Sequence, residues 1–293
     1  MIKPGYFLLF ILSLTACTQK QSIDDLQKSI EAKLAEQPGA FAVAFANLSS
    51  NEQLLINAHE LFHAASTMKT PVMVEVYKQA AEGKFSLKDS IVIKNEFISI
   101  VDGSTYSLTP DSDSDTLIYK HIGEKRTIYS LMYDMIIISS NLSTNLIIDL
   151  VDAKNVTQTL RDIGANDIQV LRGVEDGKAF AAGLNNQVTA YDLMLLFEKI
   201  DAEEIVNNEA SMSMIDILLD QRFNEIIPAK LPVNVKVAHK TGSITGVQHD
   251  SGIVYLPNGK KYVLVLLSKN LPDADAGVAV MADISKMIYD YAK

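Results

Sequence analysis

Val233-Asn234-Val235-Lys236-Val237-Ala238-His239-Lys240-Thr241-Gly242-Ser243 opens the most strongly β-patterned part of this sequence. Residues 233–239 read as a strand, and residues 252–256 and 262–268 as two more. Pro257-Asn258-Gly259, between the last two, has hairpin-turn chemistry. A helix over residues 274–291 follows. Near the other end, residues 40–48 and 53–57 are β-rich and flank the turn Ser49-Ser50-Asn51-Glu52. Before them Leu26, Ile30 and Leu34 recur at helical spacing within residues 22–36, and Pro38-Gly39 stops that helix. The spacing predicts further helices over residues 66–82, 128–138, 143–151, 156–163, 190–199 and 211–219, with a short strand at 90–93. Strands at both ends with helices between them predict an α+β fold. The terminal segments share one antiparallel sheet, and the middle forms a mostly helical lobe.

The length of 293 residues suits one large domain or two small ones, and 48% hydrophobic with 21% charged residues is an ordinary globular composition. A net charge of −10 without any Lys/Arg-rich run gives no support to a nucleic-acid partner. The acidic patch Asp111-Ser112-Asp113-Ser114-Asp115 lacks the turn glycine and closing glutamate of a calcium loop, so it reads as a solvated loop. No metal is expected.

Residues 1–16 combine Lys3, the apolar run Tyr6 to Leu12 and small residues before a cut, which is the pattern of a secretory signal peptide. Leu14-Thr15-Ala16-Cys17 is similar to a bacterial lipobox, in which Cys17 carries the lipid and residues 17–22 form a tether; the plainer alternative is a signal peptide that happens to contain a cysteine. Cys17 is the single cysteine, so no internal disulfide can form. Cleavage removes Lys3 alone and lowers the charge from −10 to −11. The expectation is an exported lipoprotein, periplasmic or at the cell surface, with residues 23–293 as its one domain.

Three motifs follow in order: Ser66-Thr67-Met68-Lys69, Ser139-Ser140-Asn141 and Lys240-Thr241-Gly242. Ser66 opens a predicted helix, whose free N–H groups and positive dipole end suit a developing oxyanion. Lys69 lies one helical turn on, where a partly desolvated amine can take the serine proton. The alternative is that Ser66 only caps the helix. Ser139 can relay a proton to a leaving nitrogen and Asn141 can hold a substrate amide; alternatively the triplet is a capping turn between helices. Lys240 and Thr241 place a cation and a hydroxyl beside a substrate carboxylate, Gly242 lets backbone approach a ligand, and the N–H of Ser243 completes an oxyanion hole with that of Ser66. The alternative there is a strand end turning to solvent.

The three motifs in this order resemble the class A β-lactamases and penicillin-binding proteins. The resemblance runs from about Ile23 to Tyr291 and includes Phe62-His63-Ala64-Ala65 and Asn145. It implies a five-stranded antiparallel sheet packed on a helical lobe, a cleft between them, an acyl-enzyme on Ser66, no cofactor and a monomer. Three departures stand out. Ser140 replaces the family's usual Asp, which removes a source of the hydrogen bonds that brace that turn. The stretch before Ser139 is long, and Tyr106 in Asp102-Gly103-Ser104-Thr105-Tyr106 is a candidate wall of the cleft, or else an exposed loop tyrosine. The family's deacylating Glu matches Glu175 best, but its Glu-Pro-x-Leu-Asn run is missing. Glu175 is therefore either the general base or a loop charge paired with Arg172. The expected substrate is a β-lactam or a peptidoglycan stem peptide. The leading function is β-lactam hydrolysis, against a penicillin-binding D-Ala-D-Ala carboxypeptidase and a non-catalytic lipoprotein module.

Overall fold

The computed structural model describes residues 21–50 and 52–293. The expected signal peptide, Cys17 and most of the 17–22 tether lie outside the described residues, as does Asn51 of the first turn.

The chain begins with helix α1 (Ile23–Leu34), capped by Ser22, whose side chain accepts from Asp25 N. Strands β1 (Ala40–Asn47) and β2 (Gln53–Ile56) form the expected hairpin. The short strand β3 (Phe62–His63) leads through a 3₁₀ turn (Ala65–Met68) into α2 (Lys69–Ala81). The next segment holds β4 (Ser90–Val92), β5 (Phe97–Ile98), β6 (Thr105–Tyr106) and β7 (Lys125–Thr127). Helices α3 (Ile128–Ile137), α4 (Asn141–Val151) and α5 (Ala153–Asp162) follow, then α6 (Gly177–Ala181), β8 (Gln187–Val188), α7 (Ala190–Asp201) and α8 (Asn208–Leu219). Strands β9 (Lys236–Ile244), β10 (Val247–Tyr255) and β11 (Lys261–Lys269) and helix α9 (Ala274–Ala292) complete the order.

The five long strands make one antiparallel sheet in the order β2-β1-β11-β10-β9, as the resemblance implies. Both faces are covered, so the central parts of β1 and β11 are apolar on both sides, and their period-2 alternation divides the side chains between two cores. Phe41, Val43, Phe45, Leu264 and Leu266 face α1 and α9; Ala42, Ala44, Ala46, Val263 and Val265 join the cluster that includes the helical lobe. Small alanines let α7 press close to the sheet. Each large side chain buried this way contributes about 1.5–3 kcal/mol. Helix α2 runs through the lobe's centre against α3, α4, α5 and α8, and Pro71 sits in its first turn, where no N–H is needed.

Two expectations change. The strand predicted over 233–239 starts at Lys236 and runs to Ile244, so Lys240-Thr241-Gly242 lies inside β9 rather than at its end. Residues 232–235 instead form a turn closed by Val235 N donating to Pro232 O at 2.9 Å. The acidic patch is not simply solvated. Asp113 and Asp115 are buried, because backbone N–H groups and the Tyr119 hydroxyl converge on them.

Candidate active site

Strand β9 is one edge of the sheet, and a cleft of about 820 Å³ separates it from the lobe. Ser66, Ser139, Asn141, Glu175, Thr241 and Ser243 all line it. Five of the nominated side chains thus meet Ser66 in one place although they are spread over most of the chain.

Ser66 is half-buried, the second residue of the 3₁₀ turn whose cap position, Ala64, makes no side-chain cap bond. The capping alternative for Ser66 falls. Ala65 before it holds a left-handed φ of 44°, a strained conformation of the kind that clusters at functional sites. Gly242 of β9 faces this turn closely: a Cβ on it would stand 3.1 Å from both Ser66 N and Thr67 N. The glycine therefore lets a strand edge approach the turn's backbone at Ser66 N, while Thr67 N is bonded within the turn to Ala64 O at 3.0 Å.

Lys69 is fully buried, with its Nζ ringed by three oxygens: Ser139 O at 2.8 Å, Ser139 Oγ at 3.1 Å and Asn141 Oδ1 at 2.9 Å. Burial pulls its pKa down to about 7, against the opposing pull of Asp113 and Glu175. An amine there exchanges its proton near neutrality. Ser139 has φ 58°, and its hydroxyl lies between two lysine amines, since Lys240 Nζ donates to the same Oγ at 3.2 Å. Lys240 is also fully buried; desolvation and the nearby Lys69 lower its pKa well below the usual lysine value. It does not line the cleft but backs it, with Nζ also donating to Thr241 O at 2.9 Å. Ser140 caps α4 by accepting from Ser143 N, so the middle triplet both caps a helix and turns Ser139 and Asn141 into the cleft.

A family model described as the β-lactamase enzyme family matches residues 25–292. The chain belongs to that family. It is 24% identical to a β-lactamase of Bacteroides uniformis over 98% of this chain and 98% of that one. A solved β-lactamase from Sphaerobacter thermophilus superposes with a TM-score of 0.80 at 27% identity, covering 93% of this chain and 98% of the other. PBP-A superposes with a TM-score of 0.78 at 28% identity, covering 91% and 95%, and a variant of it has been solved as an acyl-enzyme complex with penicillin G.

Against the β-lactamase pattern, one nominated residue sits differently from expectation. Tyr106 is not among the cleft-lining residues. It is half-buried behind the loop, with its hydroxyl donating to Val174 O and accepting from Asn145 Nδ2, both at 3.3 Å, and desolvation pushes its pKa up to about 12. Its neighbours Asp102 and Ser104 are tied to Lys178 of α6, so this hairpin braces the loop instead of walling the cleft. Glu175 does line the cleft, exposed, at a left-handed φ of 61°. Arg172 does not pair with it: the guanidinium donates to Leu184 O, Gly173 O and Asn185 Oδ1. No salt bridge therefore joins the two, although the Glu175 charge still acts on the Arg172 guanidinium.

Motif reasoning nominated no role for other residues of the cleft, although His63 falls in the stretch that carries the resemblance. His63 and His249 form part of its lining, and His249, fully buried, contacts His63 O at 2.9 Å through Nε2. Phe223, Glu225 and Ile226 line the wall after α8. No periodicity or spacing in the sequence marks them. Among the described residues no helix is long and apolar enough to cross a membrane, and no cluster of three or more metal-ligating side chains occurs.

Proposed function

We propose that the protein opens β-lactam rings through an acyl-enzyme on Ser66 and then hydrolyses the ester. The observation that supports this best is the Lys69–Ser139–Lys240 chain beside Ser66, in which a depressed-pKa amine and a shared hydroxyl link the nucleophile's base to the leaving-group side. Neutral Lys69 accepts the Ser66 proton as Oγ attacks the carbonyl carbon. The N–H groups of Ser66 and Ser243 hold the oxyanion. Ser139 hands a proton to the ring nitrogen as the C–N bond breaks, with Lys69 restoring it. Asn141 holds the substrate amide, while Thr241 and Ser243, backed by the Lys240 charge, receive the carboxylate. Glu175 then activates the water that cleaves the ester.

A second reading, a penicillin-binding D-Ala-D-Ala carboxypeptidase that releases β-lactam adducts slowly, is favoured by one observation. The residue clamped at the loop's turning point is apolar Val174, and Glu175 beside it is exposed. Mixing the domain with a chromogenic cephalosporin, while following turnover and intact mass, separates the two. Rapid turnover supports the hydrolase, a long-lived adduct the carboxypeptidase, and neither signal overturns both. Retention of this whole set of chemical groups argues against a purely binding module. Export, with a lipid on Cys17, remains our expectation from the N-terminal sequence. Metabolic labelling with a fatty-acid analogue tests it, and loss of label in Cys17→Ser is the expected outcome.

A further inference from the structure

The middle motif lacks the acidic residue expected at Ser140, yet a carboxylate still reaches that turn from elsewhere. We propose that Asp113, in the long segment before α3, is the positioning residue that holds the Ser139–Asn141 turn in reactive geometry; this rests on the acylation chemistry proposed above.

Asp113 is 8% exposed and all of its bonding capacity is directed at the site or its own support. Oδ1 accepts from Asn141 N at 2.9 Å and Asp115 N at 3.0 Å. Oδ2 accepts from Leu142 N at 2.8 Å and from the Tyr119 hydroxyl at 2.9 Å. Two of the first N–H groups of α4, which have no partner inside the helix, thus end on one carboxylate at its positive dipole end. The adjacent residue completes the hold: Ser112 O accepts from Asn141 Nδ2 at 3.0 Å, which turns Asn141 Oδ1 toward Lys69 Nζ. Asn141 is gripped at backbone and side chain by two consecutive residues. Ser139, kept at a left-handed φ two positions earlier, depends on the same anchor. The negative charge of Asp113 also opposes the desolvation that lowers the Lys69 pKa, alongside Glu175.

D113N keeps the size but sets an NH₂ against one of the two backbone donors and removes the charge. The expected result is acylation by the cephalosporin about 10²-fold slower. The acidic limb of its pH profile should move to lower pH, because the carboxylate that raises the Lys69 pKa is gone. Y119F, which spares both bonds to α4, should lose less than about tenfold. A purely structural residue would lower the melting temperature without moving the limb. The Lys69 titration, followed by NMR of labelled lysine in substrate-free protein, gives a readout independent of turnover. Wild-type rate and titration in D113N overturn the proposal. If D113N does not fold, D113E decides, since it keeps the charge on a longer arm: slowed acylation supports the proposal and a wild-type rate overturns it. Absence of any adduct on the wild-type protein sinks the acylation reading alone, and the titration then still decides Asp113.

Discussion

The side-chain amide of Asn145 satisfies both backbone polar groups of Val174, with Oδ1 accepting from Val174 N at 2.6 Å and Nδ2 donating to Val174 O at 3.0 Å. A helix residue thus pairs with a loop residue as a neighbouring strand would. Gly173 makes the approach possible, since a Cβ there would stand 2.2 Å from Asn145 Oδ1.

Removing either partner should release the loop that carries Glu175. N145A leaves Val174 N unpaired and Val174 O held by the Tyr106 hydroxyl alone, in a half-buried place, at a cost of about 1–3 kcal/mol where water cannot replace the lost bond. G173A should act alike through the clash. Both variants should unfold at lower urea concentration and turn over cephalosporin more slowly, with release of the adduct affected more than its formation. Single-turnover mass spectrometry checks the order; equal effects on both steps would separate the loop from deacylation.

The nucleophile assignment predicts that S66A folds normally and forms no β-lactam adduct by intact mass. S139A should still bind but acylate about 10²–10⁴-fold more slowly, the usual size of a general acid–base contribution. An adduct on S66A at any other residue would move the chemistry elsewhere.

The Lys69 pKa of about 7 sets the pH dependence. The neutral amine is the acceptor, so acylation should rise with pH through about 7 and level off above it. The folded pKa lies below the ordinary 10.5, so between these values the unfolded chain binds a proton that the folded chain does not. This group's contribution to stability therefore improves as pH rises across that window. Stopped-flow acylation from pH 5 to 9 tests the first point, and a flat profile would remove Lys69 as the base.

His249 predicts acid sensitivity. Burial holds its pKa down to about 4, against an ordinary 6.5. Its neutral form contributes stability that is present above 6.5 and lost as pH falls toward 4, on the order of 3 kcal/mol. Urea midpoints at pH 7.5 and 4.5 should differ less in H249N than in wild type.

The sheet was legible because burial on both faces gives β1 and β11 long apolar runs, and the helix packed on its outer face because Leu26, Ile30 and Leu34 keep helical spacing. The motif residues were legible because their chemistry is specific at short range. What escaped depends on distant partners. Asp113 looks like a solvated charge until α4 brings two N–H groups to it. Tyr106 looks like a cleft wall until Asn145 and Val174 claim its hydroxyl. The start of β9 slipped because β-branched Val233 and Val235 lie in a turn after Pro232, where propensity yields to geometry.

The shared hydroxyl of Ser139 keeps two buried lysines side by side with no carboxylate bonded to either ammonium. Heat tolerance and chemistry therefore pull against each other at one point of the fold. Replacing both lysines by methionine should yield a protein that melts later and does nothing. An anion seated in the cleft should delay melting in the native protein by relieving the same repulsion. Thermal shift thereby becomes a way to search for ligands before any reaction is known.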